Sequence, residues 1–587
     1  MAQQRGWVSD GVRILCSFAL AFWMFRVEAR PAVEDPAADP EAVEQEPEVP
    51  GAEAGGSEEP SGAAPEEAEE PAADDGFPTV ESGEEVAADG EPKFRVNGFL
   101  QNQTGVFISR QANRYNEQGL PLDHGGKFGK LSMFRNTLQL EADWTPWPVV
   151  SLHAIVRGVR SLKLSVDKDA QVPHAGYYGN NQKTIDWVAD HYYQELDLRE
   201  FYLDVEASDH LSFRLGRQQV AWGETGSYRL LDVVNPIDST WHFGPLESFE
   251  DQRIPLWMVK GLLWIPPLQG SLEVVWIPML DRPEDTVTVP LTFAGAWGLP
   301  PVPAAELFEG DDSVAPWKIR QKVFLYPDRS IRNSRGGARW QGELGNFSYS
   351  LVYFYTHQLS PPIPLYTYAQ YGAGQEGVDV YLGFPRQHVA GMSLETALPY
   401  PLGTNLKFEA AFEPNRTYTL HSAENSASKR IPYLAPNGDF YSFFHSKKKK
   451  VFSYAVSFQQ PLLLDFLNRE QSIWFVFQFM HTWITDFDGA ERIVEVPGYD
   501  GTLAKRHSFT LVGALFTNYL HGLLSPRIVG AYLPGNGGFL SAQLGVTLGD
   551  HWRFRLALNE FFGDNPYKGI GLFRDRDEVN ITLKYQF

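Results

Sequence analysis

From Lys93 to Phe587 apolar and polar residues alternate in segments about ten residues long, and this period of two recurs down the whole body. Thr137, Gln139, Glu141 and Asp143 alternate with Leu138, Leu140, Ala142 and Trp144. At the far end Glu578, Asn580, Thr582, Lys584 and Gln586 alternate with Val579, Ile581, Leu583, Tyr585 and Phe587. Such alternation sends one set of side chains to each face of a strand. It predicts strands at 94–109, 131–144, 149–164, 196–206, 210–222, 255–265, 269–279, 335–343 and 346–357. The series continues at 387–398, 403–414, 450–461, 470–484, 506–519, 525–533, 537–548, 551–562 and 575–587. That makes eighteen, or sixteen if the hairpin 525–548 and the aromatic segment near Trp474 are read differently.

The connections select the architecture. Every second junction is mostly short, as at Thr145–Pro148, Ala207–Asp209, Leu344–Gly345 and Gly549–Asp550, while the others run long, as at 165–195, 223–254, 280–334, 358–386 and 415–449. Short turns on one rim and long loops on the other are the habit of outer-membrane barrels, and an even strand count puts both ends of the barrel at the turn side. No run of 18 apolar residues exists in the body, so helical spans are excluded. Trp144, Trp147, Trp222, Trp257, Trp264 and Tyr585 fall near segment ends, where interfacial girdles form. The fold class expected is all-β, a closed antiparallel transmembrane β-barrel over 93–587, in the outer membrane of a Gram-negative bacterium. Tyr585 and Phe587, ending a strict alternation, are expected to act as the assembly signal read by the barrel assembly machinery.

Two segments precede the barrel. Arg5 and Arg13 precede an apolar run, Ile14–Phe25, followed by Val27-Glu28-Ala29. That run is too short to span a bilayer, and residues 1–29 are expected to be a signal peptide. The single cysteine, Cys16, lies within it, so no thiol chemistry is expected of the mature chain. Residues 30–92 carry 21 acidic residues against Arg30 alone among Pro, Ala and Gly. This acidic segment accounts for −20 of the net −23, which leaves the body from Lys93 close to neutral at −4. With so little apolar surface to bury, it is expected to be disordered, either a spacer or a tether to a periplasmic partner spanning roughly 45 Å.

One hairpin breaks the rule that governs the others. Phe201, Leu203 and Val205 alternate with Glu200, Tyr202, Asp204 and Glu206, and Leu211, Phe213 and Leu215 alternate with Ser212 and Arg214. The alternation stops at Gly216-Arg217-Gln218-Gln219 and runs into Trp222-Gly223-Glu224. Residues 216–224 with Asp232-Val233-Val234-Asn235-Pro236 resemble proteobacterial outer-membrane proteins of unknown function that carry a G-R-Q-x-x-x-W-G-E core and a downstream D-x-x-N-P. Those are in turn distantly similar to alginate-export-type porins. The resemblance implies a large barrel channel and names no substrate.

The loop 223–254 is expected to fold inward and set selectivity, since Gly223 and Gly226 permit bends and Leu230–Val234 is too apolar for an exposed loop. Arg217, Gln218, Glu224, Asp232 and Asn235 are the residues expected to pin it or line the constriction, with Arg217 paired to Asp232. Arg157, Glu200, Asp204 and Arg214, and on the far strand Arg553 and Arg555, are expected to face the lumen. There they act either as charge rings that select solutes or as cross-strand ion pairs. Lys447–Lys450 closes an external loop and is read as a solvated run or a contact for lipopolysaccharide phosphates. Scattered histidines without paired spacing give no metal motif, and no P-loop, G-x-S-x-G or dinucleotide fingerprint occurs, so no cofactor, no metal and no enzyme are expected. A channel for small or elongated solutes leads. A hydrolase embedded in the barrel and a non-conducting barrel serving as scaffold or lipid-transfer partner are the alternatives. Outer-membrane lipids and lipopolysaccharide are the surrounding partners, and no nucleic acid is expected.

Overall fold

In the computed structural model the described residues are 93–109, 128–162, 194–224, 229–238, 242–281, 319–358, 363–370, 377–399, 403–420, 431–433, 440–444, 446–496, 502–563, 569–574 and 576–587. The expected signal peptide and acidic segment lie outside them. Eighteen strands form the wall. They are β1 (Lys93–Phe107), β2 (Leu131–Trp147), β3 (Val150–Ser161), β4 (Gln194–Ser208), β5 (Leu211–Gln218) and β6 (Leu256–Ile265). Next come β7 (Gly270–Ile277), β8 (Arg335–Leu344), β9 (Phe347–His357), β10 (Arg386–Leu398), β11 (Thr404–Leu420) and β12 (Ser446–Leu462). The last six are β13 (Ile473–Ile484), β14 (His507–Phe516), β15 (Leu524–Leu533), β16 (Gly537–Leu548), β17 (Trp552–Phe562) and β18 (Glu578–Gln586).

Each strand pairs antiparallel with the next, and β18 pairs back onto β1 from Phe99↔Gln586 to Phe107↔Glu578, so the sheet closes without an edge. Closure satisfies every strand edge, which is the condition for a sheet to cross a bilayer. The outward face follows the apolar half of each alternation: Leu138, Leu140, Val156, Leu215, Leu351, Leu544, Leu556 and Ile581 are all exposed. An aromatic ring bounds this band at the turn side (Phe94, Trp144, Trp147, Trp264, Phe347, Trp552) and another at the loop side (Trp276, Trp483, Phe509, Tyr532, Phe562). An apolar belt between two aromatic girdles is the surface of a membrane-spanning barrel.

The sequence pattern left the long-loop side as loops, and there the structure adds strands. Ile319–Leu325, Ile363–Gln370, Gly377–Gly383, Ile431–Tyr433 and Phe440–Phe444 form a separate five-stranded sheet. In it 319–325 and 377–383 run parallel, a pairing between segments far apart in sequence that no local pattern announces. Lys447–Lys450 does not end a loop but opens β12, whose residues 446–449 pair with 416–419 of β11. Lys449 is buried there, its ammonium on Glu491 and on the carbonyl of Asp486, and Lys447 reaches the same glutamate at 3.6 Å.

Candidate functional site

The chain leaves the wall at β5, which ends at Gln218 instead of running to 222 as the alternation suggested. Gly216 has φ +142, and a Cβ there would fall 2.1 Å from the carbonyl oxygen of Phe201, so only glycine fits the bend. Gln218 is fully buried and its amide donates to the carbonyls of Arg214, Gly216 and Met258 at 3.3–3.4 Å. Described residues between Val220 and Ile254 then meet side chains of the wall strands in two places.

Asn235 sews the two ends of this segment together. Its Oδ1 accepts from the Val220 amide at 2.8 Å, and its Nδ2 donates to the carbonyls of Gln218 and Ile254. A short ladder continues the stem through Ile237↔Arg253 and the Asp238 amide on the Gln252 carbonyl. Asp232, buried beside it, is clamped by Arg229 at 2.9 Å and Arg253 at 2.8 Å. Both arginines meet Oδ2, and together they offset part of the cost of removing that charge from water.

The near anchor is apolar with polar pins. Val220, Trp222, Leu231 and Val234 pack with Leu256, Met258, Val275, Ile277, Val352, Phe354, Val389 and Ala411, which come from β6, β7, β9, β10 and β11. The indole of Trp222 donates to Glu273 on β7 at 2.6 Å and meets Phe354 edge-on at 5.5 Å. Glu409 of β11, fully buried, accepts from the backbone amides of Glu224 and Leu231. Arg339 of β8 reaches the Ala221 carbonyl, Glu273 at 3.3 Å and Glu224 at 3.9 Å. Burying a side chain such as Leu231 or Val234 contributes roughly 1.5–3 kcal/mol, while fixing each backbone residue costs roughly 1–2 kcal/mol. Apolar contact alone therefore leaves the segment near balance, and the buried polar pins decide where it sits.

The far anchor is ionic and aromatic. His242 stands between two carboxylates, Nδ1 at 2.7 Å from Glu247 and Nε2 at 2.8 Å from Glu578 of β18. Arg135 of β2 holds Glu247 at 2.9 Å, and Ser132 and Asn559 donate to Glu578. Phe243 packs edge-on against Phe539, Phe561 and Phe573, with ring centres 4.9–5.4 Å apart. The short helix Phe249–Gln252, capped by Ser248, carries Asp251 to Arg157 of β3, and Arg199 of β4 donates to the carbonyls of Glu250, Asp251 and Arg253. Burial by itself would lower the His242 imidazole, but the two glutamates outweigh it and hold it at about 9. Burial would raise Glu247, yet Arg135 and His242 bring it down to about 2. Against the same burial, Arg157 and Arg199 keep Asp251 well below the usual carboxylate range. Glu224 is pushed up by burial, which Arg339 only partly offsets.

The residues singled out from sequence sort as follows. Gln218, Asp232 and Asn235 bond residues of the segment or its ends, and Glu224 meets Glu409 through its backbone amide. Arg217 does not pair with Asp232: it binds Asp197 of β4 and the carbonyls of Leu198 and Pro255, because the bend at Gly216 turns its guanidinium along the wall. Arg214 and Asp204 form a bidentate cross-strand pair at 2.7 and 2.9 Å, so these two neutralise each other, and Arg157 is drawn to Asp251. Glu200 accepts from Gln219 at 2.9 Å. Arg553 and Arg555 stand on the lumen side of β17, in register with Thr547 and Gly545. Missed altogether were Glu273, Arg339, Glu409, Arg135 and Glu578. A polar residue at each inward position is what a wet lumen gives anyway, so nothing in their own strands marked them as anchors.

The profile of a family described as protein of unknown function (DUF1302) matches residues 126–268 and 319–587. Comparison with curated proteins finds no match. Among solved structures the chain is similar to OccAB3 of Acinetobacter baumannii, with 9% identity over 84% of this chain and 99% of that one and a TM-score of 0.41. It is similar to OccK1 (OpdK) of Pseudomonas aeruginosa at 10% identity, covering 84% and 98%, with a TM-score of 0.39. A complex of Salmonella typhi OmpF with daunomycin aligns at 7% identity over 84% and 97%, with a TM-score of 0.36.

Proposed function

The chain belongs to the DUF1302 family of proteins of unknown function, and we propose that it is an outer-membrane channel whose bore is narrowed by the segment 219–255. The observation that carries this reading is a single segment fixed on both sides of a closed barrel: Leu231 and Glu224 on Glu409 of β11, His242 on Glu578 of β18. A plug without function would need only to fill space. This one is held by charged pins in a lumen wall that also presents Arg553, Arg555, Glu200 and the Arg214–Asp204 pair, which suits passage of small or elongated polar solutes. Single-channel recording in planar bilayers tests it. Wild type should give discrete conductance steps, and Glu247→Ala, which deprives Arg135 and His242 of their shared carboxylate, should give larger and noisier ones with the barrel still folded. Equal steps in both proteins would remove the segment as the constriction.

The second reading is a non-conducting barrel. Ser457 and Gln478, on the lumen side of β12 and β13, are buried, as they would be in a barrel filled across its section. Absence of any conductance steps in wild type would favour it.

A further inference from the structure

We propose that Glu141, Asp143 and His153 form a binding site for a divalent transition-metal ion on the lumen wall near the turn-side mouth. This goes beyond the channel reading, and its binding test does not need a conducting pore. Glu141 and Asp143 occupy successive inward positions of β2, and the hairpin register sets Asp143 directly opposite His153 of β3. Directly opposed residues have Cβ atoms about 4.5–5.5 Å apart, close enough for side chains to share one ligand. One ligand atom from each residue lies within 4.8 Å of the others. The imidazole Nδ1 is 2.7 Å from Asp143, and Nε2 is 3.9 Å from Glu141. Ligand atoms at roughly 2.0–2.2 Å from a common ion span that second distance, with Asp143 either ligating through its free oxygen or orienting the ring from behind.

The ring is held in place before any ion arrives. His153 stacks on Tyr202, its register partner on β4, with centres 4.7 Å apart. Over Tyr202 lies the Arg214 guanidinium at 4.0 Å, itself locked by Asp204. A ligand fixed through two further layers loses little entropy on binding. Two carboxylates beside one imidazole offer the anionic oxygen and nitrogen donors that a divalent ion takes. Arg95 of β1 is the register partner of Asp143 on the side away from His153, and it is exposed. The Glu141 and Asp143 side chains are 35% and 46% exposed, so water completes the shell and the ion can leave. One imidazole with carboxylates and no sulfur suits zinc, nickel, cobalt or manganese better than copper(I) or magnesium. A reversible site of this kind inside a barrel gives a divalent ion a stopping place on the wall.

Isothermal titration of the untagged full-length barrel in detergent, stripped with EDTA, tests the site with Zn2+, Ni2+ and Mg2+ separately. Wild type should bind one Zn2+ or Ni2+ per chain and no Mg2+ at the same concentrations. His153→Ala and Glu141→Gln should each weaken Zn2+ binding by at least about 10-fold, with heat modifiability on gels showing the barrel intact. If His153→Ala does not fold, Glu141→Gln decides alone, since it keeps shape and hydrogen bonding. No stoichiometric binding by wild type, or the same affinity in the folded variants, would mean that the three side chains only bond one another and would overturn the proposal.

Discussion

His242 Nε2 stands 2.8 Å from Glu578 Oε1, joining the middle of the lumen segment to the last strand of the wall. The pair lies beside the seam where β18 closes onto β1, and Gly105 of β1 makes room for it. A Cβ on Gly105 would come within 2.7 Å of a Glu578 oxygen and closer still to Ser132. One contact therefore ties the position of the segment to the place where the barrel itself closes.

The two ends of this anchor titrate in opposite directions. His242 is raised from 6.5 to about 9, so its contribution is complete below about 6.5 and is lost as pH rises through 9. Glu247 is lowered from 4.5 to about 2, so its contribution is complete above about 4.5 and is lost only as pH falls through 2. The far anchor is thus firmest between about 4.5 and 6.5 and loosens toward alkaline pH. Single-channel noise in wild type should rise between pH 7 and 10, and His242→Ala should be noisy and flat over that range. A rise of the same size in His242→Ala would place the titrating group elsewhere.

At the near anchor the wall leaves a socket for the segment. A Cβ on Gly391 of β10 would lie 2.3 Å from Leu231 Cδ2 and 2.5 Å from the Ala410 carbonyl oxygen. Gly391→Val should therefore expel Leu231 and loosen residues 229–235, at a cost of about 1–3 kcal/mol for overpacking. Limited trypsin digestion should show faster cleavage at Arg229, while the heat-modifiable folded band persists. Gly158→Val is the matched control, because a Cβ there meets only Leu196 Cδ1, at 3.9 Å. Equal cleavage in Gly391→Val and the control would disprove the socket.

The wall was legible strand by strand, because a closed barrel in lipid forces a strict period of two, and Leu138, Leu140 and Trp144 obey it without exception. The departure from the wall after β5 was legible from the broken alternation at Gly216, and the apolar Leu230–Val234 marked a loop that packs on something. Its partners were not. Asp232 found Arg229 and Arg253 rather than Arg217, since a short loop closes on itself before it reaches the wall. Glu409 and Glu578 sit in regular strands, and only the fold shows that loop atoms meet them. No paired histidine spacing announces the Glu141, Asp143 and His153 cluster, whereas folding the hairpin about Pro148 puts Asp143 across from His153 directly.

At Phe587 a sealing role and a signalling role can be told apart. The backbone of Phe587 exchanges two hydrogen bonds with Gly98, both 3.0 Å, and its ring lies over that glycine, where a Cβ would come within 2.8 Å of Cζ. Phe587 is nevertheless 48% exposed, so part of it can meet another protein while the backbone seals the seam. Phe587→Ala keeps the two backbone bonds, each worth about 0.5–1.5 kcal/mol, and removes only the ring. If the ring is the assembly signal, this variant should refold in detergent with near wild-type yield yet fall several-fold in outer-membrane abundance in cells. Deleting Phe587 should lower both, because the last pair of the β18–β1 seam goes with it. Normal abundance of Phe587→Ala in the outer membrane would show that the ring carries no signal and that sealing the seam is the whole role of this residue.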